Sequence, residues 1–277
     1  FCASSRRSAC GERPPRGRDG LGRDAGATAT VGRVTSTISP SLSRRGRASY
    51  AAVAALAWAG VASMIIISTL GGYAPPTYYE EGLFGGAAYG WAGAPQRLVE
   101  CLSYFTELSN VMVALVSTVL SRRGRVGRWG RAAHLCALMM ITVTAVVYAV
   151  LIAPTETLSG FALVAYPLQH IVVPIAFVGV VALAGPRGGI TWGTLGRALL
   201  IPPVWVAYTL ARGALVHQYP YGFVNVWRIG YAQVGVNIVA ILSGALVFMG
   251  FFAAIDWAIR RTKRAEAISS GDGAEGR

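Results

Sequence analysis

The stretch Tyr104-Phe105-Thr106-Glu107-Leu108-Ser109-Asn110 opens an otherwise apolar run that continues to Leu120. It sets a carboxylate, an amide and two aliphatic hydroxyls at the head of a segment of membrane length. An α-helix needs about 20 mostly apolar residues to cross a bilayer. Polar side chains at such depth are costly and by default face a bundle interior or a cavity. The stretch therefore predicts a membrane helix that opens on a polar site.

The rest of the chain has the same character. Of its 277 residues 54% are hydrophobic and 13% charged, the composition of an integral membrane protein rather than a soluble domain. Six stretches are long enough to cross a bilayer: 50–71, 102–120, 131–153, 164–184, 194–216 and 229–257. The net charge of +13 raises nucleic acid as a partner, but the basic residues crowd residues 1–48 or flank the apolar segments. Basic flanks of this kind meet anionic lipid, so the expected partners are membrane lipids and not nucleic acid.

The same residues set the orientation. Arg44, Arg45 and Arg47 precede the first span, and Arg122, Arg123, Arg125, Arg128 and Arg131 fill the link between the second and third. Arg187 and Arg197 lie between the fourth and fifth, and Arg260, Arg261, Lys263 and Arg264 follow the sixth. The alternate links carry Arg97 and Arg228 alone. The positive-inside rule then places both termini in the cytosol. The expected fold is an all-α membrane protein, a bundle of six transmembrane helices in the cell (plasma) membrane. Its expected organisation is a disordered basic tail over 1–48, a transmembrane domain over 49–258 and a cytosolic tail over 259–277. An Arg- and Ser-rich leader also has the composition of an organellar transit peptide. Tyr and Trp in the 72–101 loop suit a membrane interface, and no internal repeat of the transporter kind is present.

Orientation sorts the polar residues by depth. Thr106, Glu107 and Asn110 fall in the outer half of the second span, and Tyr166, Gln169 and His170 in that of the fourth. Tyr148, Tyr208, Thr209, Arg212, Tyr231, Gln233 and Asn237 rise to the same level, while Ile171–Ala184 and 238–242 are apolar. A cavity toward the outer leaflet with an apolar floor accounts for this layer. So do interhelical hydrogen bonds, worth about 0.6–2 kcal/mol each. Glu107 and Arg212 are expected to pair, since an ionised group at that depth needs a partner.

Thr106 and His170 lie at matching depth and meet if their spans are neighbours. A threonine hydroxyl needs an adjacent base to act as a nucleophile, and a neutral imidazole is one; a plain interhelical bond fits the same pair. His134 and His170 differ in depth by about 15 Å, too far for two axial ligands of one haem. A metal site of His170, His217 and Glu107 stays open on depth alone. Cys2, Cys10, Cys101 and Cys136 show no C-x-x-C spacing, and there is no P-loop, H-E-x-x-H or G-x-S-x-G. No metal or cofactor is expected.

Tyr104-Phe105-Thr106-x-x-Ser109-Asn110, His170 with Pro174, Arg212-Gly213 and Tyr219-Pro220-Tyr221 occur here in this order. Together they resemble the bacterial six-pass proteins related to the androgen-induced-protein (FAR-17a-type) superfamily, over about residues 50–257. Eukaryotic members of that superfamily hydrolyse fatty-acid esters of hydroxy fatty acids with an intramembrane threonine and histidine. The resemblance implies Thr106 as nucleophile and His170 as its base. Glu107, Asn110, Tyr166, Tyr208, Arg212 and Asn237 are the expected supporting residues, with Asn110, Tyr208 or Arg212 at an oxyanion or carboxylate. The reading is a membrane hydrolase of fatty-acyl esters with its site near the outer leaflet. The alternative is a non-enzymatic sensor or regulator that binds a lipid or small molecule in the same cavity.

Overall fold

The computed structural model describes residues 41–71, 81–154, 158–188 and 190–271; the expectation for residues 1–40 lies outside them. The described residues are helical, with no strands. The helices are α1 (Arg44–Leu70), α2 (Ala94–Ser103), α3 (Phe105–Arg123), α4 (Arg128–Val147), α5 (Ala162–Pro167), α6 (Val173–Ala184), α7 (Trp192–Ala198), α8 (Ile201–Val216) and α9 (Val226–Gly271). A π-helical turn, Tyr148–Ile152, extends α4, and another, Leu168–Val172, joins α5 to α6.

Five helical segments are long and apolar enough to cross a membrane: Arg44–Leu70, Arg128–Ile152, Ala162–Ala184, Trp192–Val216 and Val226–Thr262. A sixth crossing is reached if Gly90–Ser103 and Phe105–Arg123, bent by 70° from one another, count as one. Only 11% of the most apolar window of Val226–Thr262 is buried within the protein. Water would not tolerate that much bare apolar helix, whereas lipid does, so the fold is that of a multi-pass membrane protein.

Two departures from the sequence reading bear on the site. The first helix starts at Arg44, where the Ser43 side chain accepts from the Gly46 N–H, so residues 44–48 are helix rather than tail. In the 72–101 loop, residues 94–101 belong to α2, with Pro95 in its first turn; residues 72–80 lie outside the described residues. Tyr104 then adopts an extended conformation (φ −68°, ψ 137°) and ends α2. The polar stretch is thus not the outer half of a continuous helix. It forms the start of a helix that begins at Phe105.

The helices gather into two poles. At one, Arg47 donates to the carbonyls of Ser121 (2.8 Å) and Arg122 (2.6 Å), and the Leu42 N–H to Gly124 (2.7 Å). The arginine thereby satisfies carbonyls left orphaned at the C-terminus of α3 and faces the negative end of its dipole. Asp256 of α9 accepts from the Gly188 N–H (3.2 Å) at the same pole. At the other pole Arg97 donates to the carbonyls of Ser68 (3.0 Å) and Thr69 (2.9 Å), closing the end of α1 onto α2. Between the poles α1 packs along α3, with Ala57, Ala114 and Ala137 among Tyr50, Leu120, Ile141 and Phe177. Small residues let backbones approach where lipid supplies no hydrophobic drive for helix association.

The segment after α8 is pinned to the second pole. Tyr219 exchanges backbone hydrogen bonds with 81–84: its N–H donates to Gly82 (2.8 Å) and its carbonyl accepts from Phe84 (3.0 Å). Its ring lies against Gly213, where an added Cβ would come within 2.0 Å of it. Gly213→Ala is expected to push Tyr219 off α8 and to destabilise the protein by about 1–3 kcal/mol, the usual cost of overpacking. A thermal melt in detergent checks this. The control is Ala214→Leu at the exposed neighbouring position, which should leave the melt unchanged.

Candidate functional site

Two breaks in regular helix build the site. Pro167 ends α5, and the next turn widens to π geometry, with the Val173 N–H bonded to the Leu168 carbonyl. In that register the N–H of residue 174 would bond the Gln169 carbonyl, but Pro174 has none. Asn110 supplies the missing donor, its Nδ2 reaching the Gln169 carbonyl at 3.3 Å. The widened turn needs room, and Gly60 of α1 provides it: a Cβ there would sit 3.0 Å from Gln169 Cγ. Turns of this kind recur at functional sites.

The motif Thr106-x-x-Ser109-Asn110 has a direct physical reading. The Ser109 hydroxyl (2.8 Å) and Asn110 Nδ2 (2.9 Å) both donate to the Thr106 carbonyl, which lies one turn back on α3. Ser109 also meets the Thr144 hydroxyl of α4 at 2.9 Å. Thr106 is therefore held through its own backbone, leaving its side chain to face elsewhere.

That side chain faces His170. Thr106 Oγ1 lies 3.4 Å from His170 Nε2. His170 Nδ1 lies 2.9 Å from the Tyr166 carbonyl. A carbonyl only accepts, so Nδ1 carries the proton and Nε2 presents a lone pair to the threonine hydroxyl. The imidazole is held between the rings of Tyr148 (centroids 4.1 Å, 27° between planes) and Tyr166 (5.4 Å, 27°). Both Thr106 and His170 are buried.

Tyr221 completes the group. Its hydroxyl is 3.3 Å from both the Thr106 N–H and Thr106 Oγ1. The Thr106 N–H, in the first turn of α3, has no partner within that helix, and the phenol oxygen accepts from it. Tyr104 (5.4 Å), Phe223 (5.0 Å, 8°) and Trp205 (6.3 Å) fix the Tyr221 ring. Tyr221 belongs to the link between α8 and α9, and its burial pushes the phenol up to about 12, against the pull of the Thr106 contacts. It keeps its proton throughout the physiological range.

Beside Thr106 and Tyr221 opens a cavity of about 70 Å³. Its walls are apolar and come from α4, α8 and α9, among them Met139, Val143, Pro202, Ile238 and Leu242. A single water needs about 10–15 Å³ by the same measure, so several non-hydrogen atoms fit. Thr106 thus meets the His170 imidazole through its hydroxyl and also lines the apolar cavity.

The remaining expected residues divide. Glu107 is buried and accepts from Gln169 Nε2 (2.9 Å), while Arg212 stacks on Phe84 (4.5 Å to the ring centre). Among the described residues the expected Glu107–Arg212 pair does not form: the acid is met by an amide, and the guanidinium by an aromatic face. Tyr166 serves through its carbonyl and ring, and Asn110 through its backbone acceptors. Tyr208 bonds Ser103 (2.8 Å) and Asn237 bonds the Phe223 carbonyl (2.9 Å). Neither these two nor Arg212 lines the cavity. His217 packs on Trp227 (5.0 Å), and among the described residues no three His, Cys, Asp or Glu converge on one point. Tyr148 and Gln169, which the sequence places in the polar layer, and Tyr221, which it gives only within the Tyr219-Pro220-Tyr221 motif, belong to the site although the sequence assigns them no role in it. Pro174, which deprives Gln169 of a donor, is the available signal for that residue.

The class defined by this fold and site is a multi-pass helical membrane protein with a buried threonine–histidine pair beside an apolar cavity. Comparison with protein-family models, curated proteins and solved structures finds no match, so the chemistry is read from the geometry. Replacing Asn110 by Ala strips a donor from two buried carbonyls. The Thr106 carbonyl keeps the Ser109 hydroxyl, so the loss falls on the Gln169 carbonyl and should destabilise the protein by about 1–3 kcal/mol, read as a lower midpoint in a detergent melt.

Proposed function

We propose that this protein is a membrane-embedded hydrolase of lipid (fatty-acyl) esters, with Thr106 as nucleophile and His170 as general base. The observation that carries the reading is that buried Thr106 lines an apolar cavity while its hydroxyl meets an imidazole lone pair. It agrees with the resemblance of the motifs to the androgen-induced-protein superfamily.

On this reading the acyl chain enters the cavity and brings its carbonyl to Thr106. The Thr106 proton passes to His170 Nε2 as Oγ1 bonds the carbonyl carbon, and the carbonyl π electrons move to oxygen. The Tyr221 hydroxyl, already beside Thr106, turns to donate to that oxyanion, and the Thr106 N–H it had engaged is released to do the same. Collapse breaks the ester C–O bond, and His170 gives its proton to the departing alcohol. Water then attacks the acyl-threonine with His170 again taking the proton, releasing the acid and restoring the hydroxyl.

The topology belongs to the same proposal. The bent pair α2–α3 makes one crossing, for six in all. The arginine-rich pole faces the cytosol by the positive-inside rule, and both termini lie there. Thr106 then sits toward the outer leaflet of the plasma membrane, where a lipid ester reaches it sideways.

The test is labelling by a fluorophosphonate together with hydrolysis of 4-methylumbelliferyl octanoate in detergent micelles. Thr106→Ala and His170→Ala should each abolish labelling and lower turnover by about 10³-fold or more. Equal labelling and turnover in all three proteins would leave the cavity a binding site without catalysis. Tyr221→Phe keeps the aromatic packing and removes one oxyanion donor. It should lower kcat by about 10²–10³-fold with KM little changed.

A further inference from the structure

The arginine-rich pole contains a second cavity, of about 150 Å³, with none of the lining residues of the first. Its polar lining is Arg131, His134, Arg187 and Asp256. Its apolar lining includes Leu138, Val181, Phe251 and Phe252, from α4, α6 and α9.

Among these lining residues two arginines stand against one acid. Asp256 is nearly buried and already engaged: both its oxygens accept from the Gly188 N–H (3.2 Å each), and Arg260 pairs with it at 3.2 Å. His134 Nε2 lies 2.9 Å from the Tyr50 hydroxyl, so that ring faces the core. Two guanidinium groups, from different parts of the chain, therefore set the sign of the site. Arg187 donates to the Ala182 carbonyl, which anchors its side chain at the end of α6. Arg131 lies in the first turn of α4, where the positive end of the helix dipole adds to its charge.

Two arginines above apolar walls are complementary to a phosphate attached to hydrocarbon. A guanidinium binds phosphate through parallel N–H donors, and basic pockets between transmembrane helices hold acidic lipid headgroups. We propose that this cavity binds the phosphate of an anionic phospholipid. Arg131 and Arg187 grip the headgroup, and its first methylenes lie against Leu138, Val181, Phe251 and Phe252. The site stands apart from the Thr106–His170 chemistry and needs only that the arginine-rich pole meets a headgroup layer. Its occupant would tie α4, α6 and α9 together where the last helix is otherwise sparsely packed.

The experiment is a thermal melt of the full chain in detergent, titrated with dioleoylphosphatidylglycerol, dioleoylphosphatidylcholine or inorganic phosphate. A ligand that binds the folded state alone raises the midpoint with its concentration. The expected result is a saturable rise with phosphatidylglycerol and little with the other two. Arg187→Gln should weaken the apparent affinity about tenfold or more, with Arg187→Lys intermediate and the exposed Arg125→Gln unchanged. An equal rise with phosphatidylcholine would mean that the site does not select an anionic headgroup, and an equal rise with phosphate would make it a site for the free anion; either overturns the proposal. Full phosphatidylglycerol response in Arg187→Gln overturns it as well. Should that variant fail to fold, the comparison of the three ligands on the wild type still decides.

Discussion

Inside a membrane, a backbone carbonyl without a donor has no water to turn to, and that constraint organises the middle of this protein. Pro174 removes the N–H that the Gln169 carbonyl needs in its π turn, and Asn110 makes good the loss from another helix. The same amide holds the Thr106 carbonyl, so one side chain ties the turn carrying His170 to the turn carrying Thr106. The meeting of threonine and histidine follows from satisfying main-chain groups as much as from any contact of their own. Gly60 allows it by leaving space for the widened turn.

The two poles of the bundle do different work. One pole is held by aromatic packing, by Arg97 against the last carbonyls of α1 and by the strapped segment 219–225, which closes over the start of α3 and brings Tyr221 to Thr106. The other is held by arginine against carbonyls and by Asp256 against Gly188. Each cavity takes its chemistry from its pole. Beside Thr106 the walls are nearly all hydrocarbon. At the arginine-rich pole hydrocarbon walls carry two cations, suited to a chain with an anionic head.

Much of the fold was legible because membrane helices announce themselves by length and apolarity, which need no partner to be read. The break at Tyr104 was not, since the polar stretch looks like one end of a single span. Its extended backbone shows only when α2 turns 70° from α3. Depth brought Thr106 and His170 to one level, and proximity followed. Depth also brought Glu107 and Arg212 to one level, and there it failed. Equal height on two helices says nothing about which faces oppose, and Glu107 meets Gln169 while Arg212 meets Phe84. Tyr221 was legible as part of a motif, but its contact with Thr106 was not: it comes from a link, 115 residues along the chain from Thr106, and no periodicity describes a link.

From the order of residues come the materials: apolar helices, their basic flanks, and the polar stretch 104–110 that lipid would not accept bare. The local economy of that stretch has the same source, because Ser109 and Asn110 lie three and four residues from Thr106, the spacing from which a helical side chain can return to its carbonyl. The partner taken by each remaining polar group was settled by packing in three dimensions. Hydrogen bonds across helices depend on rotation about each axis, on the bend at Tyr104 and on the widened turn between Pro167 and Pro174, which composition does not encode. A modest rotation separates a histidine that meets a hydroxyl from one that meets a wall.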